Sequence, residues 1–340
     1  MNFCSDNAAP VCPEIMEAML AANTGSALAY GEDAWTQRLD AVFSAYFDAP
    51  VRAFAVVTGT AANALALASV TPSYGAVFTH EQAHVLRDEC GAPELFTGGA
   101  QLRGLSGTDG KLTAVVLEAA LKANPPSVHS TKPAAISISQ ATEAGTCYRP
   151  HEVAQLSAFA HQNGMHMHVD GARLANAIAF LDCHPAEITW RAGVDVLSFG
   201  ATKNGALAAE AVVFFDQGLA EDFELRCKRA GHLISKSRYV SSQLLAYMES
   251  GVWLRSARRA NALAISIAAH AQPWLMYPVE ANQIFLALGT ERRQRLHDLG
   301  FEFYDWGAAD SGEARFVVSW NQSQSDIDAL AVALDDLCGN

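Results

Sequence analysis

Short apolar segments recur along the first 215 residues, each followed by a small-residue turn and, in most cases, by a stretch with helical spacing of apolar positions. Alternating apolar strands and helices predict a mostly parallel sheet covered by helices on both faces. In such sheets ligands bind beyond the carboxyl ends of the strands, so the residues that follow each strand are the first candidates for chemistry. The predicted strands are 54–57, 75–79, 134–139, 165–170, 194–199 and 211–215.

The pattern changes after about residue 250. A long helix is predicted over 255–270, followed by strands over 280–288, 302–306 and 313–320 and a closing helix over 325–338. This compact α+β arrangement indicates a smaller C-terminal domain. We therefore predict an N-terminal arm and large domain over 1–249 and a small domain over 250–340.

Composition narrows the classes of protein that remain. The chain has 340 residues, of which 50% are hydrophobic and 17% charged, and its net charge is −13. The acidic balance argues against nucleic acid or an anionic membrane as the main partner, since both attract basic surfaces. Seven scattered cysteines without a CxxC motif, an N-terminus without a signal-peptide pattern and no membrane-length apolar run favour a cytoplasmic protein.

One lysine stands apart from the other five. Lys203 follows the predicted strand 194–199 and is flanked by small residues. A buried lysine is costly unless it is paired, or has a lowered pKa and forms an imine. The alternative is an ordinary surface lysine in a connecting loop.

The strand 165–170 places His166, His168 and Asp170 on one face. Three potential ligands on one face are compatible with a metal site. Asp170, at the end of the strand, fits a different role, in which its carboxylate keeps a ring nitrogen of a cofactor protonated. For His166 the commonest role is structural, in the core.

Residues 80–84 match the zinc-protease pattern H-E-x-x-H, in which His80 and His84 would be the ligands and Glu81 the acidic residue. That pattern requires both histidines on one helix, whereas here it directly follows a predicted strand. We therefore expect a loop histidine at the mouth of the sheet and no metal, and keep a zinc hydrolase as a rival hypothesis.

The turn 58–63 follows a strand and opens a helix, so its free backbone amides and hydroxyls predict an anion site at Gly59 and Thr60. An ordinary helix cap is the simpler interpretation. A phosphate site, an aspartate about 110 residues later and a lysine 33 residues after that aspartate together meet the needs of pyridoxal 5′-phosphate (PLP). No dinucleotide or nucleotide-triphosphate motif competes with this hypothesis.

With these features the chain resembles the PLP-dependent threonine aldolases and beta-eliminating lyases, whose fold is the aspartate-aminotransferase-like fold type I. The resemblance covers most of the chain, and the run His-Val-Asp-Gly-Ala-Arg-Leu-Ala-Asn-Ala over 168–177 is its most specific part. The other landmarks are 5–7, 29–33, 58–63, 83–84, 140–145 and 198–203.

The resemblance implies a role for each matching residue. Lys203 would carry the cofactor as an imine, Asp170 would pair with its pyridine nitrogen, and His84 would stack on its ring. The remaining assignments are Gly59, Thr60 and Thr202 on the phosphate, Arg173 beside the cofactor, Ser5, Arg173 and Arg315 on the substrate carboxylate, and Tyr30 and Lys228 in the neighbouring subunit's site.

The chain departs from the family pattern at two places, the first of which concerns the preference between threonine diastereomers and the second the local shape around Lys203. Many members carry a histidine where this chain has Glu143, near the substrate hydroxyl, and the segment around Lys203 reads Ala-Thr-Lys-Asn-Gly-Ala. Both His84 and Glu143, acting through water, are candidates for the base that accepts the hydroxyl proton.

The implied activity is cleavage of L-threonine, L-allo-threonine and related β-hydroxy-α-amino acids to glycine and an aldehyde. The nearest alternative is β-elimination on the same fold, and a cofactor-free binding module is a more distant one. The implied assembly is a homo-oligomer, a dimer at least and a tetramer as the favoured state.

Overall fold

A seven-stranded sheet forms the centre of the computed structural model, which describes residues 1–123, 125 and 127–338. The order across the sheet is β1-β7-β6-β5-β4-β2-β3. The strands are β1 Arg52–Val56, β2 Gly75–His80, β3 Gln101–Leu105, β4 Lys132–Ser139, β5 His166–Gly171, β6 Val196–Gly200 and β7 Glu210–Phe214.

Within this sheet β7 runs antiparallel to both of its neighbours, while the pairs β6–β5, β5–β4, β4–β2 and β2–β3 are parallel. The carboxyl ends of six strands therefore lie at one edge of the sheet, together with the amino end of β7. The predicted α/β fold with a mostly parallel sheet is confirmed. The edge strand β3 was not predicted, because Arg103 and Gly104 interrupt its apolar pattern.

Helices cover the sheet and connect its strands. The α-helices are α1 Pro13–Ala22, α2 Leu39–Phe47, α3 Gly59–Val70, α4 His84–Arg87, α5 Ala92–Thr97, α6 Ala114–Ala123, α7 Pro150–Gln162, α8 Leu174–Leu181, α9 Phe223–Arg229, α10 Arg238–Glu249, α11 Val252–His270, α12 Thr290–Asp298 and α13 Gln324–Cys338. Short 3₁₀ turns lie at Asp6–Ala8, Thr36–Arg38, Thr108–Gly110, Pro185–Ile188, Trp190–Ala192, Thr202–Asn204, Gln217–Ala220 and Gln272–Trp274.

Helix α3 illustrates how the sequence builds a buried helix beside the site. Thr58 caps it by accepting a hydrogen bond from the backbone N–H of Ala61 at 3.1 Å. Nearly every residue of α3 is buried, which explains why its apolar residues show no one-sided stripe. The helix therefore begins directly at the carboxyl end of β1 and is fixed there by packing on all sides.

A second, antiparallel sheet has the order β8-β10-β9 and consists of β8 Gln283–Ala287, β9 Tyr304–Trp306 and β10 Glu313–Val317. Its core includes residues of α13 and the N-terminal residue Phe3. Helix α11 contributes Trp253 to the core of the large sheet and Ile267 to the core of the small one. The division of the chain at residues 249 and 250 stays a prediction.

Among the described residues, no helix combines the length and the apolar character that crossing a membrane requires.

Candidate active site

A cavity of about 320 Å³ opens at the carboxyl ends of the parallel strands, between the large sheet and the small one. It brings together residues that lie far apart in the sequence, from the N-terminal arm to β10. Eight of the predicted site residues line it: Ser5, Gly59, His84, Glu143, Asp170, Arg173, Lys203 and Arg315.

Lys203 lies in the 3₁₀ turn that follows β6 and faces this cavity. Its amine forms no hydrogen bond or ion pair with any residue that the structure describes. Burial and the nearby Arg173 lower the pKa of Lys203, although Asp6 and Asp170 act in the opposite sense. An amine with a lowered pKa and no partner is suited to nucleophilic attack, so the surface-loop alternative does not describe this residue.

Asp170 lies near the end of β5 and is almost fully buried. Its Oδ1 accepts a hydrogen bond from the backbone N–H of Ala172 at 3.0 Å, and its Oδ2 accepts one from Nδ2 of Asn63 at 2.8 Å. These two bonds fix the orientation of the carboxylate at the floor of the cavity.

Asn63 also donates to Oε1 of Glu89 at 2.8 Å, and Nδ1 of His84 lies 3.0 Å from the same oxygen. The hydrogen bond to Glu89 raises the pKa of His84, and burial raises the pKa of Glu89. Because Nδ1 is hydrogen-bonded to Glu89, Nε2 is the ring nitrogen that can exchange a proton or a hydrogen bond with a ligand in the cavity.

Glu143 lies in the loop after β4, on the same side of the cavity as His84. Its Oε1 accepts hydrogen bonds from the backbone N–H of His84 at 2.8 Å and from the hydroxyl of Ser139 at 2.6 Å. Burial raises the pKa of Glu143. The two residues considered as bases in the sequence are therefore directly connected.

Arg173 is held by Asp6 through two hydrogen bonds, of 2.8 Å from Nε and 2.9 Å from a terminal nitrogen. Asn282 donates a further hydrogen bond to Asp6 at 3.0 Å. Burial would raise the pKa of Asp6, but the attraction of Arg173 and Lys203 outweighs it and leaves the pKa lowered. The bidentate pair fixes the guanidinium at the wall of the cavity.

Arg315 reaches the cavity from β10 and lies over the ring of Trp306, 5.2 Å from its centroid, and near that of Tyr304. Its Nε is buried without a hydrogen-bond partner among the described residues. Burial and the nearby Arg173 lower the pKa of Arg315 to about 10. A buried guanidinium with an unused donor requires an anion, and the cavity is where one can enter.

The predicted phosphate site lies in the turn at the start of α3, and this role stays a prediction. The first-turn amides of Gly59 and Thr60 have no acceptor within the helix, and a Cβ at Gly59 would meet no atom within 4 Å. Thr202 accepts from the N–H of Ala209 at 3.1 Å. Neither threonine is among the residues that line the cavity.

Tyr30 and Lys228 do not line this cavity. They lie against each other, with Nζ of Lys228 4.5 Å from the centroid of the Tyr30 ring, and that ring is half exposed. Their predicted role concerns the site of a neighbouring subunit and stays a prediction.

The histidines considered as metal ligands in the sequence have hydrogen-bond partners in the structure. His80 ends β2 and its Nε2 lies 3.1 Å from the carbonyl oxygen of Gly107, so it shares no helix with His84. His168 lies between the hydroxyls of Ser137 and Ser198, at 2.9 and 3.0 Å, and burial lowers its pKa to about 4.

His166 lies at the opposite end of β5, 3.7 Å from Asp195. Ligand atoms of His84, Glu89 and Asp170 lie within 4.8 Å of one another, but the hydrogen bonds of Asn63 already join the two carboxylates. The expectation of no metal stays a prediction.

Among the residues that were not predicted to belong to the site, four support it through hydrogen bonds. Asp6 and Glu89 support the arginine and the histidine, Asn63 joins the carboxylates, and Glu210 lies buried below the Lys203 turn. Asp6 and Asn63 lie in the segments 5–7 and 58–63 that carry the family resemblance, whereas Glu89 and Glu210 lie outside every such segment. A buried polar residue inside an apolar stretch, such as Asn63 in α3, is the signal that was available.

The geometry defines a lysine-centred cavity on an α/β scaffold, and comparison with known proteins places it in a family. The profile of the beta-eliminating lyase family matches residues 2–289, and the chain belongs to that family. The family resemblance predicted from the sequence is confirmed.

Within the family, the curated relatives are more specific. A protein from a Pseudomonas species that carries the name low specificity L-threonine aldolase is 45% identical over 335 residues, which span 97% of this chain and 96% of the relative. The threonine aldolase of Leishmania major has a similar structure, with a TM-score of 0.93, 26% identity and 99% of each chain covered.

An aspartate aminotransferase from Rhodobacter sphaeroides shares the fold, with a TM-score of 0.72 and 16% identity over 100% of this chain and 92% of that one. At this identity the likeness concerns the fold alone, and it confirms the fold type predicted from the sequence.

Proposed function

We propose that this chain is a PLP-dependent lyase that cleaves L-threonine, L-allo-threonine and related β-hydroxy-α-amino acids to glycine and an aldehyde. The observation that carries the proposal is the amine of Lys203, which has no partner among the described residues, in one cavity with the buried carboxylate of Asp170 and with Arg315, whose Nε likewise has none. The similarity to low specificity L-threonine aldolases over nearly the whole chain supports it.

The residues present fit the proposed cofactor. Lys203 offers a reactive amine, Asp170 an oriented carboxylate for a protonated ring nitrogen, and the turn at Gly59 open space with unused amides. When bound, PLP would supply an aldehyde that condenses with the substrate amine, and a ring that delocalises the electron pair of the broken bond. Asp170 keeps that ring electron-poor by holding its nitrogen protonated.

The two arginines bind and orient the substrate carboxylate in this proposal. Nε of Arg315 has no acceptor among the described residues and Arg173 is fixed by Asp6, so the carboxylate enters a site with two guanidinium groups, one of them already paired. Ser5, which lines the cavity near the N-terminal arm, adds a hydroxyl. By holding the carboxylate, these residues would fix the orientation of Cα and so decide which of its bonds breaks.

The β-hydroxyl must lose a proton as the Cα–Cβ bond breaks. The electron pair of that bond remains with the glycine fragment, the carbonyl of the aldehyde forms on the other fragment, and a proton returns to Cα. We propose His84 and Glu143 as the candidates that accept the hydroxyl proton, because both line the cavity and each carries a titratable side chain. The hydrogen bond to Glu89 raises the pKa of His84 and burial raises the pKa of Glu143, so the deprotonated form of each is a stronger base than usual.

The test is product analysis with L-threonine, L-allo-threonine and phenylserine. We expect glycine and the matching aldehyde in equal amounts. The name of the matching family favours β-elimination as the second candidate, and formation of a keto acid with ammonia instead of glycine would establish that activity.

The proposal includes a homo-oligomer, a dimer at least and a tetramer as the favoured state, in which Tyr30 and Lys228 complete the site of a neighbouring subunit. Neither residue lines this chain's own cavity, and the exposure of Tyr30 leaves its ring accessible to a neighbour. A cytoplasmic location is proposed on the seven cysteines, all of which are free thiols.

A further inference from the structure

Glu210 occupies a position that no other carboxylate of the described chain shares. It is the first residue of β7, the antiparallel strand, and it pairs with Val56 at the end of β1 on one side and Gly200 at the end of β6 on the other. The turn at Gly59 follows β1 and the turn of Lys203 follows β6. Glu210 therefore lies beneath both of the turns that the proposed cofactor would contact.

The side chain of Glu210 is bonded to the second of these turns. Its Oε2 accepts a hydrogen bond from the backbone N–H of Ala201 at 3.1 Å, and the hydroxyl of Thr202 also reaches this carboxyl. The residue is buried, with an exposed fraction of 7%. Its carboxyl thus connects directly to the backbone that carries Lys203.

Few charges surround this buried acid. Lys203 attracts its negative form, Asp170 on β5 repels it, and the Tyr247 hydroxyl of α10 lies near it without a charge at neutral pH. Helix α3, which packs above the strand, carries no titratable side chain. Burial raises the pKa of Glu210 to about 7, so near neutral pH small changes in the surroundings decide its charge.

We propose that Glu210 is a positioning residue for the phosphate group of the cofactor, and that it takes up one proton from solvent when a phosphate occupies the turn at Gly59. This inference rests on the proposed function, since it requires a phosphate at that turn. A phosphate is close to a dianion above pH 6, and a second negative charge beneath it would oppose binding. In its neutral form Glu210 removes that charge and keeps its contacts with the Lys203 turn.

The proposal predicts a specific pH dependence of phosphate binding. Above about pH 7 the free protein holds Glu210 ionised, so binding requires a proton and weakens as the pH rises. For one linked proton the limit is about tenfold in affinity for each pH unit. Glu210→Gln has no ionisable group at position 210, so the phosphate affinity of this variant should lack the pH dependence caused by that proton.

The experiment is calorimetric titration of the full chain, stripped of cofactor, with 4′-deoxypyridoxine 5′-phosphate at pH 8. This probe keeps the phosphate and the ring but has no aldehyde, so Lys203 cannot react with it. Measurements in buffers of different ionisation heat give the number of protons taken up. We expect wild type to take up about one proton more than Glu210→Gln, which is the count for a single linked site.

Two controls separate Glu210 from other sources of protons. Asp195→Asn removes a carboxylate at the amino end of β6, where it accepts from the N–H of Met167, and should behave as wild type. With 4′-deoxypyridoxine, which lacks the phosphate, the difference between wild type and Glu210→Gln should vanish.

Equal proton uptake by wild type and Glu210→Gln would overturn the inference and leave the proposed function intact. Failure of the phosphorylated probe to bind either protein would overturn the phosphate site itself. If Glu210→Gln does not fold, infrared difference spectra of the wild-type protein with and without the probe test the inference. A protonated-carboxyl band must appear when the probe binds, and its absence contradicts the inference.

Discussion

Nδ1 of His84 lies 3.0 Å from Oε1 of Glu89, and this contact makes the largest contribution to the raised pKa of the histidine. Removing the carboxylate of Glu89 should therefore shift the pKa of His84 in a known direction. We expect Glu89→Gln to lower the pKa of His84, which ring-proton NMR measures directly. If neutral His84 accepts the hydroxyl proton, the acid limb of the pH profile of kcat/KM moves to lower pH with it.

The control for this measurement is Asp335→Asn, which changes the partner of the exposed His270 and leaves the cavity untouched. An unmoved acid limb together with a shifted NMR titration would exclude His84 as the base. Glu143 would then be the remaining candidate of the pair.

Lys203→Ala should abolish turnover and the covalent trapping of cofactor by borohydride, because both need this amine. The matched control is Lys122→Ala, an exposed lysine paired with Glu118. Peptide mapping after borohydride treatment identifies the modified residue. Cofactor found on another lysine of the Lys203→Ala protein would show that the site is assigned to the wrong residue.

Arg315→Lys should weaken glycine binding by more than tenfold while the spectrum of the bound cofactor stays intact. A lysine cannot reproduce the two parallel hydrogen bonds of a guanidinium, and the expected loss exceeds the ~1 kcal/mol of a surface ion pair. Titration with glycine, followed by the cofactor absorbance, gives the affinity.

Arg292→Lys is the matched control for Arg315, since Arg292 also lies over a tryptophan ring, 5.8 Å from the centroid of Trp274, but outside the cavity. Glycine affinity of Arg315→Lys within about twofold of wild type, far from the tenfold that 1.4 kcal/mol represents, would remove Arg315 from the site.

Glu143→His should change the ratio of the rates with L-threonine and L-allo-threonine more than it changes cofactor affinity. Glu143 is held by the backbone N–H of His84 and the hydroxyl of Ser139, and it has no bond to the turn at Gly59 proposed for the phosphate among the described residues. Rates with the two diastereomers and a cofactor titration on the same preparation measure both quantities. Loss of cofactor with an unchanged ratio would contradict this placement.

Subunit mixing tests the proposed roles of Tyr30 and Lys228. If each site combines Lys203 of one chain with Lys228 of its neighbour, inactive Lys203→Ala and Lys228→Ala proteins should regain activity when they are unfolded and refolded together. Random pairing in a two-fold dimer restores about one quarter of the wild-type activity. Absence of any recovery, with hybrids verified by mass spectrometry, would place Lys228 outside the shared site.

The sequence was sufficient for the parts of the fold that depend on local pattern. The strand β5 and the turn at Lys203 follow from apolar runs that end in polar residues, and the cavity joins Asp170 with Lys203 as expected. The edge strand β3 was missed because an edge needs little apolar surface. Polar residues in β3 gave no alternating signal to identify it.

The residues that support the site could not be predicted from the sequence, for a different reason. Asp6 acts through Arg173, 167 residues away, and Glu89 is joined to Asn63, 26 residues away. No local pattern records such separations. The position of Glu210 depends on β7 entering the sheet antiparallel between β1 and β6. That placement is a property of the whole topology and is absent from the residues around Glu210.

Helix α11 has a consequence for how the molecule loses its structure. Val252 and Trp253 belong to the core of the large sheet, and Leu263 and Ile267 belong to that of the small one, on a single uninterrupted helix. Melting either half exposes apolar surface that the other half needs for its own packing. The two cores are thereby thermodynamically coupled, and heating should yield one cooperative transition rather than two.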